Sequence, residues 1–336
     1  MVTSAKQHLV FFGKLPSHNV FRRTWGDKSD HFGNPTVLTR PGAARYPSVV
    51  VTRSPGKIKR ITCTFADAAA ASAFLLNTRS MENTVTLDVN VPLSDFAHDR
   101  AVAKHRLAAS YRIFARFGFD EGAAGHITVR DPEHPNTFWV APFGRYFGSL
   151  LPDDMVRVDE DGNVVEGSGQ VNKAAFWIHA AIHQARPEVN GAAHAHGLHG
   201  KTFASLNRLL APLTQDSCAF YGRHSRFDEF GGVVLDRDYG DRIAKCLGTG
   251  RALILANHGH LTAADSLEAA VWWFVSMERS FQSELMARAA GEPCEIPAVT
   301  AELTAGQHTV EYAELCFSAL YERIIAEQPD LAATAP

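Results

Sequence analysis

The 336-residue chain has no apolar run approaching the roughly 18 to 20 residues that a membrane-spanning helix needs; stretches such as residues 68–76 are far shorter. No C-x-x-C pair occurs among its five cysteines, Cys63, Cys218, Cys246, Cys294 and Cys316, which are scattered and odd in number. That argues against a disulfide framework and against a thiolate zinc site, and it fits a reducing compartment. A strong charge of either sign is also missing. A net charge of −3 gives no field that would draw nucleic acid or an anionic membrane surface. There is no Gly-rich phosphate loop of either standard type, and no internal repeat. What remains is a composition ordinary for a globular protein, 46% hydrophobic and 21% charged.

Acidic residues are nearly absent from residues 1–63, where only Asp27 and Asp30 stand against basic residues recurring from Lys6 to Arg60. This segment reads as an N-terminal extension. Its Arg-bearing, acid-poor character leaves a mitochondrial targeting role as the alternative to a cytoplasmic protein. A short Ala-rich helix over 66–76 and a strand over 84–91 are expected next. Residues 1–95 are thus set apart as a poorly defined extension, partly disordered or targeting.

From Asp99 the texture becomes regular. Residues 105–117 place apolar side chains at helical spacing, and Gly118 suits the stop. Short strands are expected over 126–129, 137–140 and 155–158, with a turn at 159–163. Residues 173–186 read as a helix ended by Pro187, and 189–194 as the next strand. A helix over 241–247, an apolar strand over 252–255 and a long helix over 267–290 follow. Helices alternating with short strands predict a sheet covered on both faces. Residues 96–295 form the main domain. Residues 296–336 form a tail with one more helix within 305–327 and a frayed end from Leu331.

Sixteen histidines are present, and two pairs stand out. His194 and His196 are separated by one residue at the end of a strand, where side chains at i and i+2 share a face. His258 follows a second strand, in Asn257-His258-Gly259-His260. Three imidazoles at adjoining strand ends would leave an open coordination position, as catalytic metal centres do. The bland alternative is histidines that cap strands and hydrogen-bond locally.

Several stretches resemble one family in the correct order. Residues 171–206 read VNKAAFWIHAAIHQARPEVNGAAHAHGLHGKTFASL, residues 117–130 read FGFDEGAAGHITVR, and residues 251–261 read RALILANHGHL. Together with the loop at 141–144 and the hairpin at 151–167, they are similar to the class II aldolase/adducin family over roughly 195 residues. The resemblance implies a three-layer α/β/α domain with a largely antiparallel central sheet. It implies a divalent metal, zinc first and Fe2+ as the alternative, held by His194, His196 and His258. It also implies a homotetramer and a small-molecule substrate.

The chain departs from the family's aldolases in places that matter. The glutamate that binds metal and moves protons falls at Ala175, and the phosphate-binding serines fall at Lys173 and Ala174. Alanine can do neither job. His126 replaces the asparagine of the G-N strand, which makes a sugar phosphate a poor substrate. Tyr221 is a candidate proton donor and Glu121 a candidate replacement base. His199 fits a position near the metal but outside its ligands, and His179 and His183 fit a packed helix face. The expected activity is a metal-dependent lyase in secondary metabolism, cleaving or decarboxylating a small oxygenated acid or ketone. An iron-dependent oxygenase or oxidative decarboxylase and a non-enzymatic adducin-like assembly module are the alternatives.

Overall fold

The structure, a computed structural model, describes residues 95–232 and 237–336, with the helix backbone alone at 173–175, and five strands within the first 94 residues. Two units separate, Met1–Ser94 and Asp95–Pro336. In the first, β1 (His8–Gly13) pairs antiparallel with β5 (Asn83–Asp88), in agreement with the strand expected there. A second small sheet joins β2 (Thr36–Leu38), β3 (Ser48–Ser54) and β4 (Lys57–Thr64). The helix expected over 66–76 lies outside the described residues.

The second unit opens with α1 (Phe96–Phe117), which begins well before residue 105 because Asp95 caps it by accepting from the His98 N–H. Gly118, in the left-handed region at φ 74°, ends it. An eight-stranded sheet follows, in the order β11-β12-β13-β10-β6-β7-β8-β9. Its strands are β6 (His126–Arg130), β7 (Phe138–Val140), β8 (Val156–Val158), β9 (Val164–Glu166), β10 (Gly191–Ala195), β11 (His224–Phe227), β12 (Ala252–Leu255) and β13 (Gly259–Ala264). Only β11–β12 is parallel. The sheet is therefore largely antiparallel, as expected. Strand β13 is an addition to the strands that the sequence pattern predicts.

The period-2 alternation of the strands divides the core between two faces. Ile127, Ala193 and Ala195 face α1, α5 (Leu267–Ala290) and α7 (Val310–Glu327). Ala192, Leu261 and Leu253 face α2 (Lys173–Ala185) and α4 (Arg237–Leu247). The result is three layers. The tail is not a separate appendage: α6 (Ala298–Gln307), α7 and the short α8 (Pro329–Ala332) belong to the second unit. Leu331, where a frayed end is expected to begin, is fully buried.

Candidate metal centre

His194 and His126 lie opposite one another on β10 and β6. Both point to the α2 face, as Ala192 does two residues before His194. His196 follows the end of β10, just before α3 (Leu198–Ala204). His258 sits in the tight turn between β12 and β13. That turn closes because Asn257 adopts φ 57°, a left-handed conformation that Asn tolerates better than most side chains.

The fold thus brings His194, His196 and His258 together. One potential ligand atom from each falls within 4.8 Å of the others. His196 Nε2 and His258 Nε2 are 2.9 Å apart, and the His194 and His258 rings are 4.8 Å apart. His194 Nδ1 lies 2.8 Å from the His260 carbonyl. Donation of that N–H leaves Nε2 with a lone pair, the usual way a ligating imidazole is oriented. Burial, reinforced by the neighbouring imidazoles, pushes His194 well below its ordinary pKa and His258 down to about 4. Burial also lowers His196, with Glu121 opposing and Lys201 assisting. All three are neutral donors at pH 7, as metal binding requires. Convergent neutral imidazoles with no carboxylate among them fit a divalent ion of intermediate softness, zinc or iron.

The other expected site residues are dispersed. His126 is close, its ring 5.3 Å from His194 and 4.0 Å from His179. Glu121 is exposed and paired with Lys201 of α3, a surface ion pair beside His196 rather than a free base. Tyr221 is not with the cluster. It precedes β11, whose first residue pairs with Ala252 at the start of β12, whereas His258 follows the far end of β12. At about 3.3 Å per residue, that puts the two at opposite ends of the paired strands, roughly 10 Å or more apart. The reason is the parallel β11–β12 pairing, which the sequence pattern did not specify. The side chains at Lys173, Ala174 and Ala175 lie outside the described residues.

Three features were missed. First, the Thr128 hydroxyl lies 2.8 Å from His179 Nδ1 and 2.9 Å from His183 Nε2, so the helix-face histidines form a buried polar rail on β6. Second, the Nε2 atoms of His126 and His179 are buried without a hydrogen-bond partner. Third, Glu278 of α5, 1% exposed, accepts hydrogen bonds from the His199 and Gly200 N–H groups, both at 2.8 Å. His199 Nδ1 lies 3.3 Å from the same carboxylate, consistent with a place outside the ligands. Beside His126 lies a narrow cleft of about 20 Å³ bordered by Phe138, Val140, Phe147, Phe176 and the 141–144 loop, with Arg145 and Asn172 also in its lining. Its lining is largely aromatic and aliphatic.

A layered α/β/α unit with a three-histidine cluster at adjoining strand ends defines a class II aldolase-type protein. Residues 105–285 match the class II aldolase and adducin N-terminal domain, and the chain belongs to that family. It is 46% identical over 246 residues to the decarboxylase NovR of Streptomyces niveus, covering 72% of this chain and 90% of that one. A protein of Streptomyces roseochromogenus subsp. oscitans named 4-hydroxy-3-prenylphenylpyruvate oxygenase/4-hydroxy-3-prenylbenzoate synthase is 45% identical, covering 72% of this chain and 88% of its own length. Among solved structures, the L-fuculose 1-phosphate aldolase from Glaciozyma antarctica PI12 superposes with a TM-score of 0.66 at 39% identity, over 71% of this chain and 94% of that one.

Proposed function

We propose that the protein is a metal-dependent lyase that decarboxylates, or cleaves a carbon–carbon bond in, a small oxygenated acid carrying an aromatic group. The observation that carries this reading is the three-histidine cluster beside a cleft walled by aromatic and aliphatic side chains. His194, His196 and His258 would hold the ion, zinc first and iron second. When bound, the ion would act as a Lewis acid on a substrate oxygen next to the bond that breaks. Phe138, Phe147 and Phe176, all nearly buried, would keep water from the site beside His126. His126, neutral because burial holds its pKa well down, would meet a substrate polar group with its unpartnered Nε2. Lys173 and Ala174 at the phosphate-binding serine positions, and His126 in place of the asparagine, argue against a sugar phosphate as substrate.

A second reading is an iron-dependent oxygenase or oxidative decarboxylase at the same site. A ligand set without a carboxylate suits iron as well as zinc, and one relative carries the name of an oxygenase. Both readings fit secondary metabolism. An assembly role without chemistry ranks last, because the ligand set is intact. By family likeness the protein assembles as a homotetramer, and the free thiols at Cys218, Cys246, Cys294 and Cys316 suit a reducing compartment, the cytoplasm first.

The test is elemental analysis of protein purified without chelators or a metal column, beside a His194→Ala/His196→Ala variant. About one zinc or iron per chain, lost in the variant, is the expected result. Release of CO2 from phenylpyruvate with and without oxygen then separates lyase from oxygenase. No metal in the wild-type protein, even after reconstitution, would overturn both readings.

A further inference from the structure

Three carboxylates are almost completely buried among the described residues: Asp131, Glu278 and Glu284. Asp131 pairs with Arg100, and Glu284 pairs with Arg288 and Arg208. Glu278 differs. Its nearest basic groups are two imidazoles, His199 at 3.3 Å and His260 at 3.8 Å, rather than a Lys or Arg. An ionised carboxylate without a cation is costly to bury, and burial raises the Glu278 pKa. Such a group persists where the surroundings need its acceptors.

What Glu278 touches is the support of the metal cluster. One oxygen takes the His199 N–H and the other the Gly200 N–H, so the carboxylate clamps the turn immediately after His196. The turn is shaped to admit it. A Cβ at Gly197 would lie 2.6 Å from Glu278 Cδ, and one at Gly200 would lie 2.6 Å from Glu278 Oε2. His260 packs beside Glu278 without a hydrogen bond to it, its Nδ1 3.8 Å from Oε2. Its ring stacks on Phe274 at 4.0 Å and presents a buried, unpartnered Nδ1 on the Glu278 side. Its backbone carbonyl orients His194. The segment that carries His196 is thus braced from behind the sheet by one side chain of α5.

We propose that Glu278 is a positioning residue of the metal centre, fixing His196 through the Gly197–Gly200 turn. This rests on the metal-binding reading above. Loss of a group that orients ligands without touching the metal lowers metal affinity by about 10- to 100-fold. A purely structural carboxylate would lower stability and leave affinity alone.

The experiment measures Zn2+ affinity by competition with a chromophoric chelator, together with the melting temperature of the metal-free protein. Wild type, Glu278→Gln and Glu284→Gln are compared. Glu284 lies on the same helix, is equally buried, and bonds the Ala211 N–H at 2.8 Å away from the cluster. Expected is a loss of Zn2+ affinity of at least about tenfold in Glu278→Gln and wild-type affinity in Glu284→Gln. Should Glu278→Gln not fold, Gly197→Ala displaces the carboxylate without removing it and carries the same expectation. Wild-type affinity in Glu278→Gln, or equal losses in both glutamine variants, overturns the proposal. A wild-type protein that binds no Zn2+ overturns the metal reading itself, and the proposal with it.

Discussion

At Thr128 a single hydroxyl lies within hydrogen-bond distance of two buried imidazoles, His179 Nδ1 and His183 Nε2. Valine has nearly the same shape and no hydroxyl. Thr128→Val leaves His179 Nδ1 and His183 Nε2 buried without that partner, and an unmade buried hydrogen bond costs about 1–3 kcal/mol. Urea unfolding should show that loss in Thr128→Val and much less in Thr128→Ser; equal stability of valine and wild type would mean that the rail carries no weight. Here lies the limit of what could be read in the sequence residue by residue. His194 and His196 were legible because strand alternation alone puts them on one side, and His258 because it ends an apolar strand. Glu278 was not: it stands in a long helix, far along the chain from the turn it clamps, and nothing local distinguishes it from a surface glutamate. His179 and His183 were legible as a helix pair, but not as partners of Thr128.

Among elements, β6 depends on what happens at its C-terminal end. Asp131, 1% exposed, takes two hydrogen bonds from Arg100 of α1, one from Trp139 Nε1 of β7, and one each from the Glu133 and His134 N–H groups. It ties the first helix to the two strands that carry His126 and the cleft wall. Burial alone would raise its pKa; these donors, Arg100 foremost, outweigh burial and hold it at about 2. A carboxyl whose folded pKa lies below its unfolded value stabilises the fold above the unfolded value. That contribution drains away as pH falls from about 4 to about 2, and it amounts to roughly 2 kcal/mol. Urea midpoints across that window should drop accordingly in the wild type. Asp131→Asn should be less stable at pH 7 and lack this part of the slope; a variant with an unchanged slope would assign the acid sensitivity elsewhere. Element identities were legible where the period was clean, as in β12 and α5, whose bounds match the expectation. The place of Tyr221 relative to the cluster was not legible, because it depends on how its strand pairs. Sequence does not reveal that β11 runs parallel to β12, and that direction alone carries Tyr221 away from the cluster.

For the folded unit as a whole, the last residues are part of the core that positions α1. Arg112 is 2% exposed in the middle of that helix, bonded to the Leu150 carbonyl, the Gln328 side chain and both oxygens of Asp330. Leu331 is fully buried, and its carbonyl lies 3.1 Å from His105 Nε2. The sequence suggested fraying because residues 331–336 are small and weakly patterned; one leucine and one aspartate meeting a buried guanidinium override that composition. Removal of residues 329–336 strips a buried cation of its carboxylate and exposes the apolar seat of Leu331. The combined cost should be about 3 kcal/mol. Asp330→Asn alone should cost about 1 kcal/mol, because that carboxylate is 61% exposed and water screens it. Arg112 and His105 lie on α1, with the tail helices between them and solvent, while the histidine cluster lies at the other face of the sheet. The truncated protein should therefore unfold at lower urea and yet, while folded, hold Zn2+ with the affinity of the full chain. Unchanged stability would return the tail to the status of an appendage, and a parallel loss of Zn2+ affinity would show that α1 and the cluster are coupled through the sheet.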